Sequence, residues 1–124
     1  MAINLYVAWA GFLLGAVAGV ASGLFFHGES WLGGYASWQR RMVRLAHIAF
    51  FGIGFLNLGF VLTARSLRLE SALRWPSSLL VIGAVTMPLV CYLSAWKPFF
   101  RHLFFIPAIS VTFGIAFCLW RMMS

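Results

Sequence analysis

Carboxylates are nearly absent from this sequence, which has two acidic residues, Glu29 and Glu70, against nine lysines and arginines. No pair of carboxylates can face one another in an apolar segment, and neither a phosphate-binding glycine loop nor a nucleophile elbow occurs. A proton-coupled exporter is also unexpected, because small exporters rely on a carboxylate buried in the membrane. The sequence therefore predicts no catalytic activity of its own.

Cysteine is as scarce as acidic residues. Cys91 and Cys118 are the only two, and both fall in apolar runs at a spacing that matches no zinc or redox motif. We interpret them as small apolar residues that pack between helices. They carry no information about the redox compartment.

Long apolar runs dominate the chain, since 63% of its residues are hydrophobic. Four stretches without a formal charge each approach the ~20 residues that a helix needs to cross ~30 Å of hydrocarbon. Helices are expected because none of the stretches alternates like a barrel strand and a lipid-exposed backbone must pair its own polar groups. The sequence predicts an all-α integral membrane protein, a four-transmembrane-helix bundle that forms one domain over residues 1–124, with spans at approximately 3–26, 45–64, 76–96 and 102–120.

Basic residues lie at the ends of these spans and give a net charge of +7. At such positions they suit lipid headgroups, so we expect anionic phospholipids as partners and no nucleic acid. The first and third loops carry five of them, against four on the opposite face. This bias favours a cytoplasmic location for the first and third loops. Because no Arg-rich leader is present, we expect a bacterial cytoplasmic membrane.

Four glycines of the first span, Gly11, Gly15, Gly19 and Gly23, recur every four residues. At ~100° per residue they form one continuous groove without side chains, in which another helix can pack closely. The partner is either another subunit or a small face of the second span. The residues of that second face are Ala49, Gly52, Leu56 and Gly59.

The first loop carries bulky residues at steps of four, three, four and three, which places them on one helical face. They are Trp31, Tyr35, Trp38, Met42 and Leu45. Aromatic rings are typical of the headgroup region. The pattern predicts a short interfacial helix between helices 1 and 2.

All three histidines return to the same membrane face when the four spans are threaded through a bilayer. His27 ends the first span, His47 begins the second and His102 begins the fourth. Imidazole is a ligand for haem iron, copper or zinc. We hypothesise a b-type haem with His47 and His102 as axial ligands and His27 as an alternative ligand.

Two further features fit the haem hypothesis. Gly54 lies seven residues after His47 on the same helical face, where a missing side chain would leave room for the edge of a macrocycle. Guanidinium groups near this interface would pair with the propionates. They belong to Arg40, Arg41, Arg44 and Arg101. The alternatives are a metal ion of unknown identity and histidines that only anchor helix ends.

Asn57 is the one strongly polar amide near the middle of a span, and we interpret it as a hydrogen-bonding link between helices. Aromatic-rich spans and short loops suit burial among other helices. We therefore expect a small accessory subunit of a multi-subunit membrane complex in respiratory or photosynthetic electron transfer, with other integral membrane subunits as partners. The alternative is a small ion channel or transporter that acts as a homo-oligomer, centred on Asn57 and on the kinks expected at Pro88 and Pro107.

Overall fold

The computed structural model describes all 124 residues and contains helices and turns but no strand. Its four long helices are α1 (Ala2–Phe25), α2 (Trp38–Ser66), α3 (Arg74–Trp96) and α4 (Phe105–Met123). A 3-10 segment, Pro98–Phe104, leads into α4. All four helices, the last counted from Pro98, are long and apolar enough to cross a membrane. The prediction of an all-helical fold with four helices of spanning length is confirmed.

The first loop differs from the prediction. A single 3-10 turn, Trp31–Gly33, stands where a separate interfacial helix was expected, and α2 begins at Trp38 instead of Leu45. No continuous helix forms here because Leu32, Gly33 and Gly34 have φ values of 53°, 87° and 101°. These values lie in a region that excludes a right-handed helix. The bulky residues of the predicted face are therefore divided between two segments. Trp31 lies in the 3-10 turn, and those from Trp38 onwards lie in the first turns of α2.

The start of α2 is set by a side-chain cap. The Ser37 hydroxyl oxygen accepts a hydrogen bond from the backbone N–H of Arg40 at 3.2 Å, and Ser37 itself has extended backbone angles. This is the usual way in which one of the unpaired N–H groups of a helix start is satisfied. The capped extension makes α2 the longest helix, with two turns before the apolar span.

The helices pack in chain order, α1 on α2, α2 on α3 and α3 on α4, and α1 also contacts α3. The first three helices thus form a cluster, and α4 packs chiefly on the outer side of α3. Apolar side chains of α2 and α3 meet with the second loop in a buried cluster. It consists of Phe60, Val61, Ala64, Leu73 and Leu80.

Glycines set the contact between α1 and α2. A Cβ at Gly11 would lie 3.1 Å from the carbonyl oxygen of Phe50, and one at Gly15 would lie 2.7 Å from the Phe51 ring. In the opposite sense, the ring of Phe12 fills the space over Gly54, where a Cβ would come within 2.7 Å of it. The groove of α1 therefore receives α2 of the same chain, but not through the small face that the sequence indicated, because Gly52 and Gly59 of that face have no neighbour within 4 Å. Gly23 lies outside this contact, with no neighbour within 4 Å.

A second pair of glycines joins α3 to α4. Gly83 faces the side chain of Val111, and a Cβ at Gly114 would lie 3.0 Å from Cδ2 of Leu80. Each helix thus presents a glycine to a branched side chain of the other. Close approach of this kind is what holds helices together in lipid, where no hydrophobic force acts between them.

Candidate functional site

Three polar side chains meet in the interior of α1, α2 and α3. Asn4 and Asn57 are completely buried and Ser77 is nearly so. The Asn4 amide donates to Oδ1 of Asn57 at 2.8 Å and to the carbonyl oxygen of Ser77 at 3.1 Å. The Ser77 hydroxyl donates to Oδ1 of Asn4. One residue from each helix thus contributes to a single hydrogen-bonded network.

Asn57 uses its remaining donors inside the protein as well. Its amide nitrogen donates to the carbonyl oxygens of Ile53 at 3.0 Å and Leu80 at 3.3 Å. Both side-chain amides of the network therefore have their N–H groups and their oxygens bonded to protein. A network satisfied in this way links helices and presents no free polar group to a ligand. The sequence indicated Asn57 as a link between helices but did not identify Asn4 and Ser77 as its partners, because no local pattern connects the three residues.

A polar cavity of about 480 Å³ opens at one end of this network. Glu70, Arg74 and Ser78 line it, and Ser77 connects it to the buried amides. Asn57 lies nine residues before the end of α2 at Ser66, or roughly 13 Å at ~1.5 Å per residue. The polar groups therefore reach less than half of a ~30 Å hydrocarbon layer.

Towards the other face the polar path is interrupted. Between Asn57 and Arg40 the buried residues of α2 are Gly54, Ala49, Ala46 and Met42. None of these side chains can donate or accept a conventional hydrogen bond, and Gly54 is covered by an aromatic ring. The buried residues of α2 thus provide no continuous polar path from one face to the other.

His47 lies in the contact between α1 and α2. A Cβ at Gly19 would lie 2.6 Å from Cε1 of its imidazole, and the ring meets Phe51 edge-on with centroids 5.3 Å apart. Its Nδ1 atom is buried without a hydrogen-bond partner. Gly19 is therefore the position that makes room for the imidazole.

The other two histidines are placed differently. His27 and His102 are both exposed, and the ring of His102 meets Phe99 at a centroid distance of 5.7 Å. The 3-10 segment that carries His102 packs on α3 and α4, whereas His47 faces α1. Three or more His, Cys, Asp or Glu side chains do not gather anywhere in the chain as a possible metal site.

Arg40 is the buried cation of the molecule, with an exposed fraction of 2%. Its Nε donates to the carbonyl oxygen of Trp31 at 2.7 Å, and its Nη2 donates to that of Gly28. The guanidinium also lies 5.3 Å from the ring centroid of Phe26 and 5.5 Å from that of Trp31. Backbone carbonyls and aromatic faces thus take the place of a carboxylate partner.

The remaining arginines proposed for the propionates lie at the surface or near it. Arg44 stacks over Tyr35 at 4.4 Å and donates to its carbonyl oxygen at 3.2 Å. Arg41 lies over Trp38 at 5.9 Å, and Arg101 is exposed. Arg40 is not free to bind a propionate, because its guanidinium donates hydrogen bonds to two carbonyl oxygens of the first loop.

These contacts do not fit a haem between His47 and His102. The space beside Gly54, which was expected to hold the edge of a macrocycle, is occupied by the ring of Phe12. His47 is enclosed by α1 on one side, and the Arg40 guanidinium has other partners. The histidine face is thus built mainly of interfacial aromatic and basic side chains, which include Lys97 over Trp96 at 4.8 Å.

Comparisons of the chain with protein-family models, with curated proteins and with solved structures found no match. The structure comprises a satisfied polar network, a buried arginine that is bonded to backbone carbonyls, and outer helix faces that remain apolar.

Proposed function

We propose that this chain is a small accessory subunit of a larger membrane assembly and acts by packing its helices against those of another polypeptide. An open apolar groove between α2 and α4 carries the proposal. Both helices pack on α3, and a groove of about 390 Å³ remains between them. Phe60 and Leu80 lie at its buried side, and Ile115 and Leu119 of α4 are among the residues that line it.

The outer face of α2 extends this groove along the helix. Ile48, Phe55 and Leu62 are about three-fifths exposed, and Gly52 and Gly59 lie between them with nothing within 4 Å. Steps of four and three place all five on one face. Glycines in the middle of a span permit another backbone to approach closely, so a transmembrane helix of a partner chain fits this face.

The polar groups of the chain support the same role. Asn4, Asn57 and Arg40 bond within the protein, which stabilises the helices and leaves none of these three side chains free to bind a ligand. We place the assembly in respiratory or photosynthetic electron transfer and in a bacterial cytoplasmic membrane, because aromatic-rich spans with short loops suit burial among other helices. Haem is not part of the proposal, since the predicted position is filled by protein.

The alternative function is that of an ion channel or transporter formed by a homo-oligomer. The polar cavity beside Glu70 and Arg74 favours it, because the cavity connects to Ser77 and the buried amides. Its weakness is the apolar stretch of α2 between His47 and Asn57, where the buried residues are Ala49 and Gly54. A second copy would have to supply the missing polar lining.

Site-specific photocrosslinking in the native membrane tests the proposal. A benzophenone amino acid replaces Phe55 in the groove face, and a matched control replaces Leu13, which is 66% exposed on α1. We expect position 55 to crosslink to a different polypeptide and position 13 to crosslink to lipid. A product of twice the chain's mass would instead support the homo-oligomer, and crosslinking to lipid alone at position 55 would contradict both.

Filling the groove gives a second readout. Gly59→Leu places a side chain on the proposed contact, and Gly23→Leu adds the same side chain at another glycine with open space around it. We expect the first to abolish the crosslink from position 55 and the second to preserve it. Unchanged unfolding of both variants in detergent separates loss of a partner from loss of the fold. Equal crosslinking in both variants would contradict the proposed contact.

A further inference from the structure

We infer that the chain binds an anionic phospholipid in a groove between the start of α3 and the end of α4. The groove has a volume of about 520 Å³. Trp75 and Leu79 of α3 line it together with Phe117, Trp120 and Arg121 of α4, and Ser71 of the second loop lies at its edge. It lies at the membrane face opposite the histidines and is separate from the groove between α2 and α4.

The walls of this groove match the parts of a lipid in order of depth. Trp75 and Trp120 are 80% and 61% exposed, and tryptophans are typical of the headgroup level, where one side of the ring is apolar and the other polar. Leu79 and Phe117 lie a turn further from the helix ends, at the depth of acyl chains. The volume of the groove also falls in the ~300–1,000 Å³ range of small-molecule binding sites.

Charge complementarity selects an anionic headgroup. The Arg121 guanidinium is exposed and makes no hydrogen bond within the chain, and the Ser71 hydroxyl makes none either. Arginine binds phosphate oxygens through two parallel N–H donors. The order of the spans places Arg65, Arg68 and Arg74 on the same membrane face, where Glu70 is the only acidic side chain. A lipid with a net negative charge is therefore favoured over a zwitterionic one.

The contrast between Arg121 and Arg40 supports a ligand at this position. Arg40 is buried and bonded to two carbonyl groups, and Arg44 stacks on a tyrosine. Arg121 has neither kind of partner, although two tryptophans and a phenylalanine line the same groove. Its donors are thus available for a phosphate at the mouth of an apolar slot.

Native mass spectrometry of the purified full-length chain, released from nanodiscs that contain equal amounts of phosphatidylglycerol and phosphatidylcholine, tests this inference. We expect the chain to retain phosphatidylglycerol in preference to phosphatidylcholine. Arg121→Gln is expected to lower that retention roughly tenfold, as loss of a hydrogen bond to a charged group would. Trp75→Ala is expected to lower retention of both lipids, because it removes an apolar wall.

Arg65→Gln is the matched control, since it removes the same charge from the same face but lies outside the groove. Retention similar to that of the unchanged protein is expected for it. An equal loss in Arg65→Gln and Arg121→Gln would show diffuse attraction to the surface and overturn the site. Equal retention of the two lipids by the unchanged protein would also overturn it. Neither result affects the proposed partner helix, which is tested at another groove.

Discussion

The imidazole of His47 lies directly against the backbone of Gly19, so that a Cβ at Gly19 would come 2.6 Å from Cε1 of the ring. This contact joins two features that the sequence presents separately, a glycine groove on α1 and a histidine near the start of the second span. The groove accommodates large rings of α2, with Phe51 over Gly15 and His47 over Gly19. The two helices therefore approach closely only while both positions remain glycine.

Gly19→Ala is expected to destabilise the chain by about 1–3 kcal/mol, the usual cost of adding a methyl group to a filled contact. Gly23→Ala, on the same face but with open space around it, is expected to be neutral or slightly stabilising because alanine favours a helix. Unfolding in detergent by increasing SDS measures both. Equal destabilisation by the two substitutions would contradict the contact.

The same pair can be tested by its coupling. In a His47→Ala background the imidazole is absent, so Gly19→Ala is expected to lose most of its cost. A double-mutant cycle isolates this interaction energy, which for residues in contact is about 0.5–3 kcal/mol. Strict additivity of the two substitutions would show that they do not interact.

The sequence predicted the helices well because their signal is local. Apolar runs determine where a helix can cross a membrane, and the helices that begin at Ala2 and Arg74 start within two residues of the predicted spans. The start of α2 was missed by seven residues, because the Ser37 cap precedes a polar stretch that belongs to the helix but not to the apolar run. Hydropathy detects the membrane segment and not the capped extension.

The candidate site was harder to predict because it depends on which helix faces point inward. Threading placed the three histidines on one face, but the rotation of α2 that sets His47 against Gly19 follows from packing. The rotation of α2 also decides that Arg40 is buried and the neighbouring Arg41 is exposed, although both are arginines at the start of the same helix. Asn4 was overlooked as a partner of Asn57 because 53 residues separate them, and no local pattern connects them.

Asn57→Ala is expected to cost about 1–3 kcal/mol, since it leaves a buried N–H donor of Asn4 without its acceptor and removes the hydrogen bonds to the carbonyl oxygens of Ile53 and Leu80. A double-mutant cycle with Asn4→Ala is expected to give a coupling of about 0.6 kcal/mol, the average between membrane helices, and at most about 1.7 kcal/mol. Ser110→Ala is the control, because that buried hydroxyl donates only to Pro107 within its own helix. If Ser110→Ala lowered the free energy of unfolding as much as Asn57→Ala, the hydrogen bonds between helices would contribute no more than a bond within one helix.

Arg40→Gln is expected to loosen the loop between α1 and α2 and to destabilise the chain by about 2 kcal/mol or more, because two hydrogen bonds from a charged group are lost. Hydrogen exchange and limited proteolysis over residues 26–37 measure the loosening. Arg41→Gln removes the same charge from an exposed neighbour and is expected to leave both measurements unchanged. Similar protection of the loop in the two variants would show that Arg40 does not hold it.

The histidines provide the last prediction, because the structure and the haem hypothesis differ on them. His47 is enclosed beside Gly19, His102 is exposed on a segment that packs on other helices, and the ring of Phe12 occupies the space over Gly54. Titration of the purified chain with haem is therefore expected to give no bis-histidine spectrum in the reduced-minus-oxidised difference. A b-type band that disappears in both His47→Ala and His102→Ala, but persists in His27→Ala, would establish the axial pair. Such a result would require α1 to move away from His47, and Gly19→Ala would then alter the band as well.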